Sequence, residues 1–368
     1  MKTERLQSLD ALRGFDMFFI MGGAPLLAAL AIWMPCPFTE ELALQMDHVE
    51  WHGLVHHDTI FPLFLFVAGI SFPFSLAKQR ESGRSEGAIH GKVIRRGLTL
   101  VLLGIIYNGL LSNWDFADAR YASVLGRIGL AWMIAALIYL HAGWRSRVGI
   151  TTLILVGYYL IIRFVPAPDG MGEDVYSAQG SIVGYIDRLL LPGRIYYGNI
   201  DPEGILSTLP AVATALLGMF TGEWVKLERE GLTPTKKAAW MVVAGIVLLT
   251  AGLLWNLDFP INKKLWTSSF VLVVGAYSVL MFALFYWIID VRGWRRWTPF
   301  FTVIGLNSIT IYLGQKFINF HYTAEKLTGG LIQFLPEQAQ PFFTSAAYIA
   351  VCWLFLYVLY RNRIFLKV

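Results

Sequence analysis

The chain has 368 residues, of which 56% are apolar and only 15% are charged, with a formal net charge of +5. This balance excludes an ordinary soluble globular protein, which carries a larger share of charged side chains. Lipid is therefore the expected solvent for most of the chain.

Apolar stretches long enough to cross a roughly 30 Å hydrocarbon core recur along almost the whole chain. Helices are expected, because backbone polar groups in lipid must be satisfied within their own segment. The sequence predicts an all-α fold, a polytopic transmembrane helical bundle of about ten or eleven helices, in a single domain over residues 1–368. The ten assigned spans are 13–34, 54–77, 97–113, 121–142, 148–165, 205–224, 238–257, 268–290, 298–318 and 339–360.

The basic residues lie unevenly on the two sides of these spans. Loops assigned to the inside hold 20 Lys and Arg, whereas loops assigned to the outside hold six and carry 15 of the 25 acidic residues. Basic residues in short loops stay on the cytoplasmic side during insertion. With ten spans, both termini are predicted to be cytoplasmic, and the net charge reflects topology rather than nucleic-acid binding.

The start of the chain and its cysteines give two narrower expectations. The first apolar segment is not expected to be a signal peptide, because it is long and Asp10, Arg13 and Asp16 interrupt the place of an uncharged core. Cys36 and Cys352 belong to no disulfide framework, metal motif or redox motif. Neither cysteine therefore indicates a compartment.

The longest stretch outside the spans covers about residues 166–204. Around one short apolar piece it carries Pro166, Pro168, Gly170, Gly172, Pro192 and Gly193. The pattern predicts a folded extracytoplasmic loop with one short helix. There is no internal repeat of 20–50 residues.

Four basic residues lie inside or at the edge of spans, namely Arg13, Arg127, Arg163 and Lys316. A charge in mid-membrane costs about 2.5–3.5 kcal/mol on insertion scales, so such residues usually face a bundle interior or a watery cavity. The alternative is that each lies near a helix end, with its charge in the interface. Each is therefore a candidate functional residue.

Asp10, Arg13 and Asp16 are spaced three residues apart, which places them on one face of the first helix. They could form a structural ion-pair ladder. They could also form part of a cytoplasm-facing anion site in which Arg13 and Arg127 bind the phosphates of a nucleotide-like cofactor, since guanidinium groups suit bidentate oxygen recognition. The pattern leaves both interpretations open.

Four of the seven histidines lie between His48 and His57, at the outside end of span two. The spacing of His48, His52 and His56 would align them on a helix, so a zinc site is conceivable, but there is no recognised metal signature and no metal is expected. A histidine can also act as a general base or accept an acyl group. The carboxylates of Asp47, Glu50 and Asp58 could fix its tautomer, and ordinary interfacial histidines remain an alternative.

Several strings in order along the chain resemble the heparan-α-glucosaminide N-acetyltransferase family, in particular bacterial members associated with N-acetylglucosamine utilisation. They are LDALRG at 9–14, HVEWHGL at 48–54, DTIFP at 58–62, LGRIG at 125–129, DPEGIL at 201–206, PINKKLWTSS at 260–269 and GLNS at 305–308. They are spread over most of the chain, which makes the resemblance specific.

The resemblance implies an acyltransferase that moves an acetyl group from cytoplasmic acetyl-CoA to the amine of glucosamine, or of a glucosamine-containing glycan, on the extracytoplasmic side. It implies residence in a bacterial cytoplasmic (inner) membrane and a possible homodimer. The family's catalytic histidine matches His48, and Asp58 is its expected partner. His52 stands where relatives often carry Asn, so it was not assigned a family role, nor were His56 and His57.

The same resemblance suggests which residues bind the two substrates. Acetyl-CoA is expected to contact Asp10, Arg13, Arg127 and Lys316. The acceptor is expected to contact Trp51, Asp201, Glu203, Asn262, Lys263, Trp266 and Asn307, with Trp266 stacking on a sugar face. Loop packing and helix capping are the alternative for the outside residues, and helix bridging is the alternative for Asn307 and Lys316.

Two other functions fit parts of the pattern. An amino-sugar transporter would also need intramembrane charges, but the sequence shows no inverted repeat. An O-acyltransferase of a cell-surface glycan would share the Leu-Asp-x-Leu-Arg-Gly opening and differ chiefly in its acceptor. Substrate screening is needed to separate these possibilities.

Overall fold

The computed structural model describes residues 6–366, except for the side chains of residues 112 and 113, and shows no β-strand in that part of the chain. The prediction that both termini are cytoplasmic rests partly on residues 1–5 and 367–368, which lie outside the described residues. The helices are α1 (Gln7–Phe18), α2 (Ala24–Trp33), α3 (Pro37–Leu44), α4 (His56–Glu81), α5 (Glu86–Tyr107), α6 (Leu110–Asn113), α7 (Val124–His141), α8 (Trp144–Phe164), α9 (Ile182–Leu190), α10 (Thr208–Lys226), α11 (Pro234–Trp255), α12 (Ser268–Phe285), α13 (Thr298–Leu306), α14 (Ser308–Phe317), α15 (Phe320–Ile332) and α16 (Gln340–Arg361).

Each predicted span coincides with helical structure, which confirms the all-α class. Among the described residues, seven helical segments are long and apolar enough to cross a membrane by length and composition. They are Gln7–Trp33, His56–Glu81, Val124–His141, Trp144–Phe164, Pro234–Trp255, Ser268–Val291 and Gln340–Arg361. The count of ten or eleven is not confirmed.

The other three predicted spans differ from a simple apolar helix in identifiable ways. Helix α5 begins earlier than predicted and includes Lys92, Arg95 and Arg96. Helix α10 carries Glu223 and Lys226 near its end and three threonines. Span 298–318 is divided into α13 and α14 at Asn307, whose backbone is not helical.

The described chain forms two compact units. The first contains residues 6–50, 55–60 and 281–366, and the second contains residues 51–54 and 61–280. Helices α4 and α12 each contribute residues to both units. His48 and Asp58 thus belong to the first unit, whereas Trp51 and His52 belong to the second.

In the first unit, α1 and α13 pack closely because both carry a glycine at the contact. A Cβ added at Gly14 would lie 1.7 Å from the carbonyl oxygen of Phe301, and one added at Gly305 would lie 2.0 Å from that of Asp10. The small residues allow the two backbones to approach, as is common between membrane helices. The start of α1 and its Asp10–Arg13 stripe are therefore fixed against α13.

The helical segment Gln7–Trp33 changes direction at a π-helical turn, Phe19–Gly23. Gly22 there has φ 146°, a value that side-chain-bearing residues rarely adopt. A Cβ at Gly22 would also lie 2.8 Å from the Ile349 side chain of α16. The glycine thus provides both the kink and the close packing of α16.

The second unit has a core formed by α4, α7, α10 and α12, with Trp266 and Phe270 among its buried aromatic residues. Glycines again set the helix distances: a Cβ at Gly218 would lie 2.1 Å from the carbonyl oxygen of Phe66, and one at Gly129 would lie 2.6 Å from that of Gly97. This core supports the loops at 114–123, 165–207 and 256–267, which carry most of the predicted acceptor residues.

The loop that follows α8 contains the short helix α9, in the region where the sequence predicted one. Ser181 caps α9 by accepting a hydrogen bond from Gly184 N–H, and Pro166 pairs with Ser181 in an isolated bridge. Trp51 is joined to this loop, since its Nε1–H donates to the carbonyl of Tyr176 at 2.7 Å. The loop is therefore ordered by specific contacts within the second unit.

Candidate active site

His48 and Asp58 form a close pair in the first unit. His48 Nδ1 lies 2.6 Å from Asp58 Oδ1, and the side chains are 51% and 1% exposed, respectively. Asp58 is in the first turn of α4, where the helix dipole favours a negative charge, and its Oδ2 accepts a hydrogen bond from Val55 N–H at 3.4 Å. An ionised carboxylate only accepts, so Nδ1 carries the proton and Nε2 the lone pair.

The loop that carries His48 is closed by backbone hydrogen bonds. Gln45 accepts from two N–H groups at the start of α4, that of His56 through its side chain at 2.9 Å and that of His57 through its carbonyl at 3.0 Å. Asp47 accepts from the backbone N–H of His48 at 2.8 Å. These bonds fix the loop against α4 and place His48 beside Asp58. Asp58, one of the three carboxylates considered from the sequence, is paired with the imidazole.

The histidine cluster does not form the helix face that a zinc site would need. Residues 47–55 are not helical, and His56 is the first residue of α4. The His57 ring packs edge-on against His48, with centroids 4.7 Å apart, and the His56 ring lies 4.6 Å from Phe19. Within residues 6–366, no group of three His, Cys, Asp or Glu is arranged to hold a metal ion.

The N-terminal polar stripe contains one ion pair of the expected spacing. Arg13 Nη1 lies 3.4 Å from Asp10 Oδ1, with Asp10 buried and Arg13 partly exposed. Asp16 is also buried, and its Oδ2 has no hydrogen-bond partner among the described residues. The i,i+3 pair is present, as the ladder interpretation expects, while the exposed part of Arg13 leaves a contact with a phosphate possible.

Arg127 does not have the position that the sequence analysis assigned to it. Its guanidinium is fully buried in the second unit, donates to Ser207 Oγ and to the Gly204 carbonyl at 3.4 Å, and lies 4.9 Å from the Trp266 ring. Gly204 and Trp266 belong to loops predicted to be outside, and Ser207 lies at the outside end of the predicted span 205–224. Protein atoms enclose the guanidinium near the end of its span predicted to be outside, an arrangement that does not favour a contact with cytoplasmic CoA phosphates.

Asp201 and Glu203 bind Arg120 rather than an open pocket. Arg120 donates to both oxygens of Asp201, at 2.9 and 2.6 Å, and to Glu203. Burial alone would lower the pKa of Arg120, but the two carboxylates outweigh burial and raise it. Asp201 is 0% exposed and also accepts from the backbone N–H groups of Tyr196 and Glu203. Asp201 is therefore engaged by Arg120 and the backbone, and Glu203 is largely enclosed, so the predicted contact of either residue with the acceptor stays a prediction.

Asp187 of α9 is a buried carboxylate that the sequence analysis did not single out. It accepts from the backbone N–H of Ile205 at 2.9 Å and of Asp201 at 3.2 Å. Burial raises the pKa of Asp187 to about 6, against the lowering effect of these two bonds. A Cβ at Gly204 would lie 2.1 Å from its carboxylate, so glycine is needed there. The sequence feature that could have identified Asp187 is that it is the one acidic residue within an apolar stretch of the loop.

Trp266 is a core residue rather than a sugar platform. It is 1% exposed, with its ring 4.9 Å from that of Phe61 and 5.1 Å from that of Phe270. This burial does not favour the predicted stacking of Trp266 on a sugar, which stays a prediction. Asn262 is also fully buried, whereas Lys263 is half-buried, and Trp51 is partly exposed with Lys264 Nζ 5.5 Å from its ring centroid.

The two residues predicted on span nine lie in different surroundings in the first unit. Asn307 is 2% exposed, its Oδ1 accepts from Thr310 Oγ1 at 3.3 Å, and its Nδ2 has no hydrogen-bond partner among the described residues. Lys316 is exposed in the last turn of α14. In the predicted topology this turn is at the outside end, so a contact between Lys316 and cytoplasmic CoA phosphates does not fit.

Comparison with known proteins identifies the family to which these features correspond. Residues 5–251 match the family model described as heparan-alpha-glucosaminide N-acetyltransferase, catalytic. The chain is 26% identical to the mouse heparan-alpha-glucosaminide N-acetyltransferase over 87% of its length and 56% of that protein. It is 28% identical to the human protein of the same name, over 99% of its length and 60% of that protein. The chain thus spans less than two thirds of these relatives.

Proposed function

Because this chain belongs to the heparan-alpha-glucosaminide N-acetyltransferase catalytic family, we propose that it is a membrane-embedded acetyltransferase that uses acetyl-CoA as donor. The acceptor is the amine of glucosamine or of a glucosamine-containing glycan. Both relatives carry the name of an N-acetyltransferase, and seven apolar helical segments in the described part of the chain support a membrane location. The single observation that carries the proposal is the His48–Asp58 pair.

The pair supplies a base whose orientation is fixed. Asp58 accepts the Nδ1 proton of His48, so the Nε2 lone pair is the one that can take a proton or attack a carbonyl. Asp58 also stabilises the imidazolium ion that forms when Nε2 is protonated. The exposure of His48 allows a substrate to reach the ring.

In direct transfer, His48 Nε2 takes a proton from the acceptor ammonium group. The neutral amine then forms a bond to the thioester carbonyl carbon, the carbon–sulfur bond breaks, and CoA leaves as a thiolate. The acceptor nitrogen loses two protons in all: His48 takes one, and the CoA thiolate takes the other. The products are an N-acetylated sugar and free CoA, and the base is ready for another cycle once its proton passes to water.

In the two-step alternative, His48 Nε2 attacks the thioester carbonyl and releases CoA, and the acetyl group is held on the imidazole. The neutral acceptor amine then forms a bond to the acetyl carbon, the bond from that carbon to Nε2 breaks, and the proton that the amine nitrogen loses passes through Nε2 to the CoA thiolate or water. Asp58 stabilises the positive charge of the acetylated ring. Both routes need the same Nδ1–H tautomer, so both depend on Asp58.

The charge distribution supports a direction for the reaction. The excess of basic residues in the loops assigned to the inside supports an orientation in which the protein, in a bacterial cytoplasmic membrane, takes acetyl-CoA from the cytoplasm. The acceptor then meets the acetyl group near the extracytoplasmic side. Asp10 and Arg13, near the cytoplasmic end of α1, are the proposed contacts of the CoA phosphates, with Arg13 as the cation and Asp10 as the residue that orients it.

The proposal is tested by incubating purified, detergent-solubilised protein with acetyl-CoA and glucosamine and measuring free CoA thiol. Wild-type protein is expected to release thiol only with an amine acceptor. His48→Ala should reduce that release by about 10²-fold or more, whereas His90→Ala, at a partly exposed histidine of α5, should leave it unchanged as the matched control.

Mass spectrometry of the product distinguishes the rival functions. An amide on glucosamine, its methyl glycoside or a short amino-sugar oligomer supports the proposal. An ester on a sugar hydroxyl would instead show an O-acyltransferase. Uptake of labelled glucosamine into vesicles without acetylation would show a transporter, and either result would overturn the proposed reaction.

A further inference from the structure

The segment Trp51–Leu54 lies against the loop between α11 and α12, within the second unit. Gly53 N–H donates to the carbonyl of Ile261 at 2.9 Å, and Gly53 has φ 115°, which favours glycine. This bond brings His52 beside Asn262, with His52 Nδ1 3.4 Å from Asn262 Nδ2. The contact gives His52 a fixed neighbour in the fold.

The amide of Asn262 can be oriented from its other hydrogen bonds. Its Oδ1 accepts from the backbone N–H of Leu265 at 2.9 Å, while the backbone N–H of Asn262 donates separately to Thr267 Oγ1 at 3.0 Å. Only oxygen can accept, so the nitrogen of the side chain must face His52. An amide nitrogen donates, which makes His52 Nδ1 the acceptor and leaves the ring proton on Nε2.

The surroundings of His52 favour the neutral ring that this contact requires. Partial burial lowers the pKa of His52, and Asp174, the charged group that acts on it, opposes the shift without reversing it. The side chain is nevertheless exposed. His52 therefore carries an N–H donor on the side of the ring opposite Asn262.

Trp51 provides an aromatic surface next to this donor. Its ring centroid lies 6.2 Å from that of His52 at an interplanar angle of 70°, and its Nε1–H is held by the Tyr176 carbonyl at 2.7 Å. A partly exposed aromatic ring beside a fixed polar donor suits a sugar, which has apolar C–H faces and ring hydroxyls.

We propose that His52 is an acceptor-binding residue, whose Nε2–H donates to a hydroxyl of the amino sugar while Trp51 packs on the sugar ring. Asn262 is then a positioning residue that sets the tautomer of His52 and does not touch the sugar. The inference rests on the proposed function for the class of ligand. It gives roles to His52 and Asn262, for which the catalytic role of His48 provides none.

The first test measures the affinity for glucosamine methyl glycoside by calorimetry, which needs no turnover. His52→Phe keeps a ring without a donor and should weaken binding about 5- to 10-fold. His52→Gln keeps an N–H donor of similar reach and should stay within about twofold of wild type. The KM for acetyl-CoA should be unchanged in both.

Equal affinity of His52→Phe and wild type would overturn the role of His52, while thiol release by the wild type would leave the proposed function intact. If the wild type binds the glycoside but transfers no acetyl group, the proposed function fails and the affinities still decide the role of His52. If the wild type does not bind the glycoside, the acceptor site proposed here is wrong.

A second test changes the tautomer through Asn262→Asp. The carboxylate would accept from both Leu265 N–H and His52, which moves the neutral ring's proton to Nδ1 and favours the charged ring. As the pH rises and the ring loses its Nε2 proton, the affinity of the variant for the glycoside should fall. The fall should be about 5- to 10-fold larger than in wild type. The double variant with His52→Gln should lose this added pH dependence, and its persistence would contradict the inference.

Discussion

His48 Nδ1 lies 2.6 Å from Asp58 Oδ1 and joins an exposed imidazole to a carboxylate that is 1% exposed. The carboxylate is held at the start of α4 by the helix N-terminus, so the imidazole is oriented by a rigid element rather than by a loop alone. Because the bond uses Nδ1, Nε2 is the nitrogen available to a substrate. A change that moves the proton from Nδ1 to Nε2 should therefore impair the reaction.

Asp58→Asn should lower kcat by about 10²- to 10⁴-fold, because the amide can donate to Nδ1 and so favour the tautomer with its proton on Nε2. The KM for acetyl-CoA should change little. Thiol release measures both. The matched control is Asp47→Asn, which keeps an oxygen to accept from His48 N–H. Activity of Asp58→Asn equal to that of this control would show that the pair does not set the tautomer.

Arg120→Lys should destabilise the protein by about 3–5 kcal/mol, since a lysine cannot reproduce the bidentate bond to Asp201 and the bond to Glu203. Thermal unfolding in detergent, together with proteolysis of the 166–204 loop, checks this. Arg188→Lys is the control, because its partner Asp169 is 42% exposed and the expected loss is below about 1 kcal/mol. Similar losses in the two variants would contradict the anchoring role of Arg120.

The sequence predicted the helices and the candidate residues of the histidine loop well, because both depend on local pattern. Apolar length identified the segments, and the conspicuous polar residues around His48 included its actual partner, Asp58. The short helix α9 was also expected from one apolar piece between glycines and prolines. These features need no knowledge of contacts between distant parts of the chain.

The sequence could not predict where long-range partners would bury a side chain. Arg127 is enclosed by Ser207, 80 residues further along, and by the ring of Trp266. A tryptophan in a polar string suggested a sugar platform, but its neighbours Phe61 and Phe270 make it a core residue. Span nine was read as continuous because hydropathy does not show that the backbone leaves the helix at Asn307.

Asp187 should make the stability of the loop depend on pH. An unfolded aspartate ionises near pH 4, whereas burial raises the pKa of folded Asp187 to about 6. The folded state therefore binds more protons in this window, and its stabilising contribution, present below about pH 4, is lost as the pH rises to about 6. Asp187→Asn removes this loss of about 1–3 kcal/mol. The difference in Tm between the variant and wild type should therefore increase in favour of the variant as the pH is raised from 4.5 to 7.5.

Asp169→Asn gives the opposite trend and serves as the control for Asp187. The Arg188 guanidinium lowers the pKa of Asp169, so its stabilising contribution is present at neutral pH and is lost as the pH falls through the folded pKa. Its variant should lose stability relative to wild type as the pH rises to about 4, and the difference should stay nearly constant between pH 4.5 and 7.5. The same trend in both variants would show that burial does not control Asp187.

Gly14→Ala should reduce stability by about 2 kcal/mol or more, because the added methyl group would lie 1.7 Å from the Phe301 carbonyl oxygen and force α1 away from α13. Thermal unfolding and the yield of monodisperse protein measure the effect. Gly157→Ala in α8 is the control, since no atom lies within 4 Å of its added Cβ. A wild-type Tm for Gly14→Ala would show that the two helices need no close contact.

Cys36 offers a direct test of the topology on which the direction of transfer depends. It is exposed between α2 and α3, in a loop predicted to be outside, and its hydrogen bond with Thr39 lowers the pKa of the thiol. A lower pKa increases the thiolate fraction that reacts with maleimides. In intact cells, a membrane-impermeant maleimide should therefore label Cys36.

Cys352 is buried and should stay unlabelled, so Cys36→Ala should abolish labelling of the intact cells. Placing Ser82→Cys in that background puts a thiol in the loop between α4 and α5, which is predicted to be cytoplasmic. It should react only after the cells are permeabilised. The reverse pattern, with Ser82→Cys labelled in intact cells and Cys36 protected, would invert the topology and place the His48 loop on the same side as acetyl-CoA, so that no acetyl group would need to cross the membrane.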